Sequence, residues 1–284
     1  MKKRAASSLA AALLCLAVPN AAQAACGPDP DPCAIPDGAY HLELPESPAP
    51  GTPALMMLHG WGASGEGMLR ARGMVDAALD RGYAVIAPDG IPRANGRGLS
   101  WAFHPDRPGP RDEIAFLQSV RDDAADRFGI APGSILLAGF SIGGSMTAYA
   151  ACAAPDAFTG YAPLGGNFWH PLPDSCAGPA AMLHVHGWRD GTVPLEGRIL
   201  RGGSMEDPDV VAQGNVWAAM EIWRATNDCP DLQPRAFPET EGFWRRAWEG
   251  CAAPLEIALF DGGHSIPLGW TDMALDWFEG LADR

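Results

Sequence analysis

Lysine is almost missing from this chain: Lys2 and Lys3 are the only two, and every other basic side chain is arginine. Against 20 basic residues stand 34 acidic ones, a net charge of −14. Setting aside Lys2, Lys3 and Arg4 leaves 17 basic residues against 34, a net −17. So acidic a surface repels phosphate backbones, which argues against nucleic acid as a partner and is silent about neutral substrates. No C-x-x-C pair occurs, so neither a zinc knuckle nor a thioredoxin-like redox site is indicated. No stretch is long and apolar enough to span a membrane. No internal repeat or Ser/Thr-rich linker is apparent, and no added polymer-binding domain is expected. The 284 residues suit one large α/β domain with a sizeable core.

What is present begins with a leader. Lys2 to Arg4 are basic, Leu9 to Val18 are apolar, and Ala22-Gln23-Ala24 matches an A-x-A cleavage pattern. Residues 1–24 read as a secretory signal peptide, with lipid anchoring at Cys26 the minor alternative. The expected location is secreted or periplasmic. Residues 25–39, rich in Pro, Asp and Gly, read as a flexible lead-in, and 40–284 as a single catalytic domain. Six cysteines remain after the leader, an even number that in an exported chain reads as disulfides. Local proximity favours Cys26–Cys33 and Cys229–Cys251, leaving Cys152–Cys176; free buried thiols are the alternative. A monomer is expected, with a dimer as the other option.

The strongest local signal is Gly139-Phe140-Ser141-Ile142-Gly143, a G-x-S-x-G between the apolar run Ile135–Leu137 and an Ala-rich stretch. Strand, sharp turn and helix in that order make a nucleophile elbow, with Ser141 exposed at the turn. Alone, the pattern also fits an ordinary Gly/Ser turn. Upstream, Ala54–Leu58 reads as a central strand, buried on both faces, that ends in His59-Gly60-Trp61-Gly62. The backbone N–H groups of Trp61 and Ile142 are the expected oxyanion donors. Gly67–Leu79 and Asp112–Phe128 read as helices, and 91–110 as a long loop. Trp101 in that loop reads equally as a substrate contact or as packing, and Trp169 and Trp188 are further substrate-binding candidates.

Ala181–His186 reads as a strand carrying His184 and His186 on one face. An H-x-H pair raises zinc, but the Asp that such a loop wants two residues later is Trp188. Neither a metal nor a cofactor is expected, and His186 reads as structural. Asp190 follows the strand after the nucleophile helix, where a triad acid belongs, with Asp261 as the runner-up. Asn227–Gly250, bracketed by Cys229 and Cys251, reads as a tied hairpin or flap. His264 lies in a Gly-rich loop between the last strand, Leu255–Phe260, and the closing helix, Thr271–Leu281. The chain order Ser141, Asp190, His264 is that of an α/β-hydrolase and not of other serine hydrolase folds. The expected fold is therefore a mostly parallel central sheet flanked by helices.

Together these marks resemble the secreted polyhydroxybutyrate depolymerase-like and feruloyl esterase-like proteins, carbohydrate esterase family 1 in the broad sense. The likeness runs from about Tyr40 to Leu281. It rests on Leu58-His59-Gly60, Pro88-Asp89-Gly90, Trp101, Gly139 to Gly144, His186-Gly187 with Asp190 and Val193-Pro194, and Gly263-His264. The resemblance implies a serine esterase in which Ser141, Asp190 and His264 are nucleophile, acid and base. It implies a small-molecule or oligomeric ester substrate with a short or aromatic acyl group, feruloyl, acetyl or hydroxyalkanoate. A broad carboxylesterase or a polyester depolymerase is the alternative, and a non-catalytic protein on this fold a more distant one. A metal-free triad gives no reason to require charge on the substrate, and the acidic surface disfavours anionic polymers.

Overall fold

In the computed structural model, residues 25–207 and 209–282 are described. The expected signal peptide, 1–24, lies outside them. In chain order the first half forms β1 (Cys33–Ile35), β2 (Gly38–Glu43), β3 (Thr52–Leu58), α1 (Gly65–Leu69), α2 (Arg72–Asp80), β4 (Ala84–Pro88), β5 (Ile91–Pro92), β6 (Leu99–Ser100) and α3 (Glu113–Phe128). The second half forms β7 (Ile130–Phe140), α4 (Ile142–Ala153), β8 (Gly160–Leu164), β9 (Met182–Gly187), β10 (Arg198–Ile199), β11 (Ala212–Gln213) and α5 (Val216–Thr226). It ends with β12 (Glu239–Thr240), β13 (Phe243–Trp248), β14 (Leu255–Phe260) and α6 (Trp270–Glu279).

The main sheet has ten strands in the order β1-β2-β4-β3-β7-β8-β9-β14-β13-β12. Its centre, from β4 to β14, is parallel. Antiparallel strands finish both ends. Parallel centre strands are covered on both faces by crossover helices, so their sequences are apolar without interruption. Alternation then sorts the side chains into two cores. Ala54, Met56 and Leu58 of β3 face the layer containing Phe116, Leu117 and Met146. Leu55 and Met57 face Val75, Ala78, Trp270 and Leu275 on the other side. This is the expected α/β-hydrolase architecture.

Helix boundaries follow local chemistry. The Asp112 carboxylate caps α3 by accepting from the amides of Ile114 and Ala115, and Gly129 at φ 70° ends it in the left-handed conformation. The Asn215 side chain accepts from Ala218 N, so α5 starts at Val216. The helix expected over 67–79 is two helices, broken at Arg70-Ala71. The reading of 25–39 as flexible is corrected: Cys33–Ile35 pairs with β2, and Cys26 is disulfide-bonded to Cys33. The other disulfides join Cys152 to Cys176 and Cys229 to Cys251. The second of these brackets the β12–β13 hairpin, which extends the sheet past β14.

Candidate active site

Four loops leave the same edge of the sheet, at the C-terminal ends of β3, β7, β9 and β14. In open α/β sheets that edge is where ligands bind. The loops carry, in turn, His59 to Trp61, Ser141, Asp190 and His264.

Ser141 occupies the single residue between β7 and α4, at φ 61° and ψ −121°. A non-glycine residue there costs about 1–3 kcal/mol, and only rigid surroundings hold it. The surroundings are tight because the flanking positions lack side chains. A Cβ at Gly139 would lie 2.3 Å from the Gly143 carbonyl oxygen, and one at Gly143 would lie 2.4 Å from that of Leu58. Strand, helix and neighbouring strand therefore pack backbone against backbone, and α4 is buried along almost its whole length. The Ser141 amide donates to the Leu164 carbonyl at 2.9 Å, which pins the turn to β8.

His264 bridges the other two groups. Its Nε2 lies 2.8 Å from Ser141 Oγ and its Nδ1 2.7 Å from Asp190 Oδ2. The second Asp190 oxygen accepts from the amides of Thr192 and Val193, both at 2.8 Å. The Asp190 side chain is 1% exposed and that of His264 17%. Burial opposes ionisation of Asp190. The hydrogen bonds with His264, Val193 and Thr192 outweigh it and hold the carboxyl below the usual carboxylate range. An ionised acid on Nδ1 fixes the proton there and leaves Nε2 free to accept from the Ser141 hydroxyl. Asp261, the other acid considered, is exposed and ion-paired with Arg189 at 3.0 Å.

The oxyanion candidates are next to the serine. Ile142 is the first residue of α4, and neither its amide nor that of Trp61 donates to a described acceptor. A Cβ on Gly60 would lie 3.5 Å from Ser141 Cβ, which sets the Gly60–Trp61 peptide alongside the hydroxyl-bearing carbon. His59 orients that peptide, a role residue identity alone did not reveal. Its Nε2 accepts from Gly90 N at 3.0 Å, so the ring proton sits on Nδ1, which donates to the Gly60 carbonyl at 2.8 Å. Burial pushes the His59 imidazole below its ordinary value, which keeps this neutral tautomer. The partner on Nε2, Gly90, lies in the Pro88-Asp89-Gly90 turn, which the sequence showed only as a motif and not as a contact of His59.

Ser141 opens into a cavity of about 580 Å³ whose lining includes Trp61, Trp101, Phe103, Ile142 and Trp169. Trp61 is largely exposed at its edge. Trp169 donates from Nε1 to Ser145 Oγ at 3.1 Å and meets Phe103 edge-on at 5.4 Å. Trp101 is mostly buried in the wall of the cavity. It is 4% exposed, donates from Nε1 to the His59 carbonyl at 2.9 Å, and turns only part of its ring to the cavity. Trp188 is a correction: it does not line this cavity. It lies in a separate, open hollow and packs edge-on against Trp244 at 6.5 Å. The Trp188 amide donates to the Phe260 carbonyl at 2.8 Å, continuing the parallel β9–β14 pairing past Gly187, and its ring reaches Trp244 of β13, the antiparallel neighbour of β14. His184 and His186 are hydrogen-bonded to each other at 3.1 Å, and His186 Nε2 bonds the Val193 carbonyl at 2.7 Å. Among the described residues no group of three or more His, Cys, Asp or Glu is arranged to hold a metal ion. No described helix is long and apolar enough to cross a membrane.

Sheet order, elbow and loop placement define an α/β-hydrolase. Solved structures agree on the fold. An acetyl xylan esterase from Aspergillus awamori superposes with a TM-score of 0.62 at 15% identity, covering 85% of this chain and 93% of that one. A carboxylesterase from Mesorhizobium loti gives 0.57 at 18%, covering 88% and 98%. No family model matches the sequence. Over 253 residues the chain is 32% identical to the "Putative esterase NocK" of Nocardia uniformis subsp. tsuyamanensis, covering 81% of this chain and 71% of that protein. Feruloyl esterase C of Emericella nidulans is 27% identical over 165 residues, 56% of this chain and about half, 52%, of that protein. The chain belongs to the α/β-hydrolase esterase family that includes NocK.

Proposed function

We propose that this protein is a secreted serine carboxylic-ester hydrolase for short-chain or aromatic acyl esters, working through an acyl-enzyme. The observation that carries the reading is His264 held between Ser141 Oγ and the buried Asp190 carboxylate. His264 Nε2 takes the hydroxyl proton as Ser141 Oγ attacks the ester carbonyl. The amides of Trp61 and Ile142 receive the negative charge on the carbonyl oxygen; a donor of this kind is worth about 10²–10³ in rate. His264 then returns the proton to the leaving alcohol. A water, deprotonated by the same nitrogen, releases the acid and restores Ser141. Asp190 stays ionised throughout and stabilises the transient imidazolium.

Within this class we propose kinship with the polyhydroxybutyrate depolymerase-like and feruloyl esterase-like proteins, a reading the partial likeness to feruloyl esterase C supports. The flat walls offered by Trp61, Trp169 and Phe103 support a short or aromatic acyl group. Export to the periplasm or beyond belongs to the same proposal, supported by three disulfides. So does a single catalytic domain, which takes in β1 and β2 as well as the expected 40–284, acting as a monomer. Ser141→Ala tests the core of the reading. It abolishes p-nitrophenyl butyrate turnover while circular dichroism stays that of the parent; near-normal turnover would overturn the assignment.

A further inference from the structure

The cavity beside Ser141 has a charge opposite to that of the molecule around it. Ten arginines elsewhere, Arg72 and Arg245 among them, are ion-paired with carboxylates, as an acidic surface makes easy. Arg107, Arg198 and Arg201 all line this one cavity, and no aspartate or glutamate lines it with them. No described carboxylate lies within ion-pair distance of any of the three. Arg107 comes from a segment far in sequence from Arg198 and Arg201, so the fold brings the first to the other two.

Two of the three are aimed without being neutralised. Arg107 Nη2 donates to the Val210 carbonyl at 2.8 Å. Arg198 donates from Nε to Gln213 Oε1 at 3.1 Å and from Nη1 to the Gly191 carbonyl at 3.2 Å. These acceptors are neutral, so both guanidinium charges remain, with N–H groups to spare. Arg198 and Gln213 are directly paired across the β10–β11 ribbon, and Gln213 also bridges to Trp169 on the cavity wall. The ribbon is thereby fixed to the site. Holding three like charges around one cavity is unfavourable unless an anion enters it, and a guanidinium presents parallel N–H groups that match a carboxylate.

We propose that the ester cleaved at Ser141 carries a carboxylate in addition to its scissile bond, and that Arg107, Arg198 and Arg201 recognise that carboxylate. This rests on the hydrolase reading above. The net negative charge of the whole molecule still disfavours long polyanions. It is reversed within the cavity, where a small acidic ester is attracted.

The carboxylate can stand on the acyl side or on the alcohol side, and paired substrates separate the two. For the acyl side, kcat/KM is compared for p-nitrophenyl hydrogen succinate and p-nitrophenyl butyrate. For the alcohol side, the linear hydroxybutyrate dimer is compared with its primary amide. In one pair the charged member is preferred by about tenfold or more, as expected for a charge-assisted hydrogen bond. The preference shrinks in the parent enzyme as ionic strength rises from about 0.01 M to about 0.15 M. It falls toward one in Arg198→Gln and in the Arg107→Gln/Arg201→Gln double variant. Each variant's own charged-to-neutral ratio is the readout, so a general loss of active protein does not mimic the result. Equal or better turnover of the neutral member in both pairs overturns the proposal and leaves the esterase reading standing. A ratio unchanged by the arginine variants overturns it as well. Absence of turnover with all four compounds, p-nitrophenyl butyrate included, sinks the esterase reading itself.

Discussion

Replacing His59 separates the stability of the site from its chemistry. The ring is fully buried, accepts from Gly90 N, donates to the Gly60 carbonyl, and lies 5.0 Å from the Trp101 ring. His59→Ala leaves the Gly90 amide without a partner and the Gly60 carbonyl with only the Ala63 amide, at 3.2 Å; the unsatisfied buried amide alone costs about 1–3 kcal/mol before any cavity term. Without Nδ1 the Gly60–Trp61 peptide keeps only the longer bond from Ala63, and the aim of the Trp61 donor is loosened. That adds a loss of about 10²–10³ in kcat. Two polar variants divide these effects. In His59→Asn the amide nitrogen keeps the place of Nδ1 and its bond to Gly60, so kcat is largely retained while stability falls. In His59→Gln the side-chain oxygen keeps the place of Nε2 and its bond to Gly90, so kcat falls more than in the asparagine variant. Urea unfolding and p-nitrophenyl butyrate kinetics on the same preparations give both numbers. If glutamine preserved kcat and asparagine did not, or if alanine were as active as the parent, His59 would not orient the oxyanion donor.

Asp190→Asn lowers kcat at least about tenfold, and by as much as about 10⁴-fold, with little change in KM, because the imidazole loses its tautomer and its counter-charge; a smaller fall would direct attention to another acid. The paired change Cys152→Ser with Cys176→Ser opens a span of 24 residues and lowers unfolding free energy by about 3 kcal/mol, read from urea midpoints at constant m. Acid lowers stability in two steps. His59, His184 and His186 have folded values pushed below 6.5 by burial, so the unfolded chain binds their protons first and stability is lost as pH falls from about 6.5. Asp89 and Asp190 are also depressed: burial opposes ionisation, but hydrogen bonds from His41 and His264 prevail. Their contribution is present above 3.8 and lost as pH falls further through the folded values. Unfolding curves at a series of pH values check the sign; stability rising on acidification from neutrality would contradict it.

Much of the fold was legible because buried parallel strands are apolar on both faces. Leu255–Phe260 is the strand expected, and Ala54–Leu58 needed only an extension to Thr52. Ser141, Asp190 and His264 could be named because an elbow, an acid turn and a histidine loop each follow a strand end in a fixed order. What was not legible depends on contacts between distant segments. The break between α1 and α2 falls at Arg70-Ala71, where no proline or glycine announces it. Trp101 and Trp188 are the same residue type in similar loops, yet one clamps the His59 carbonyl and the other leaves the site for Trp244. Arg107, Arg198 and Arg201 share a cavity only because the β10–β11 ribbon and the 91–110 loop meet across it. Net charge, a property of the whole chain, pointed the other way.

The most direct test of the central claim is to find which side chain becomes covalently attached when the enzyme is treated with diethyl p-nitrophenyl phosphate. This reagent transfers its phosphoryl group to an activated serine and resists release. Intact-mass measurement and peptide mapping are predicted to place a single adduct on Ser141, with simultaneous loss of esterase activity. Ser141→Ala takes up none, and His264→Ala takes it up far more slowly. An adduct on a different residue, or full inactivation with Ser141 unmodified, would contradict the account.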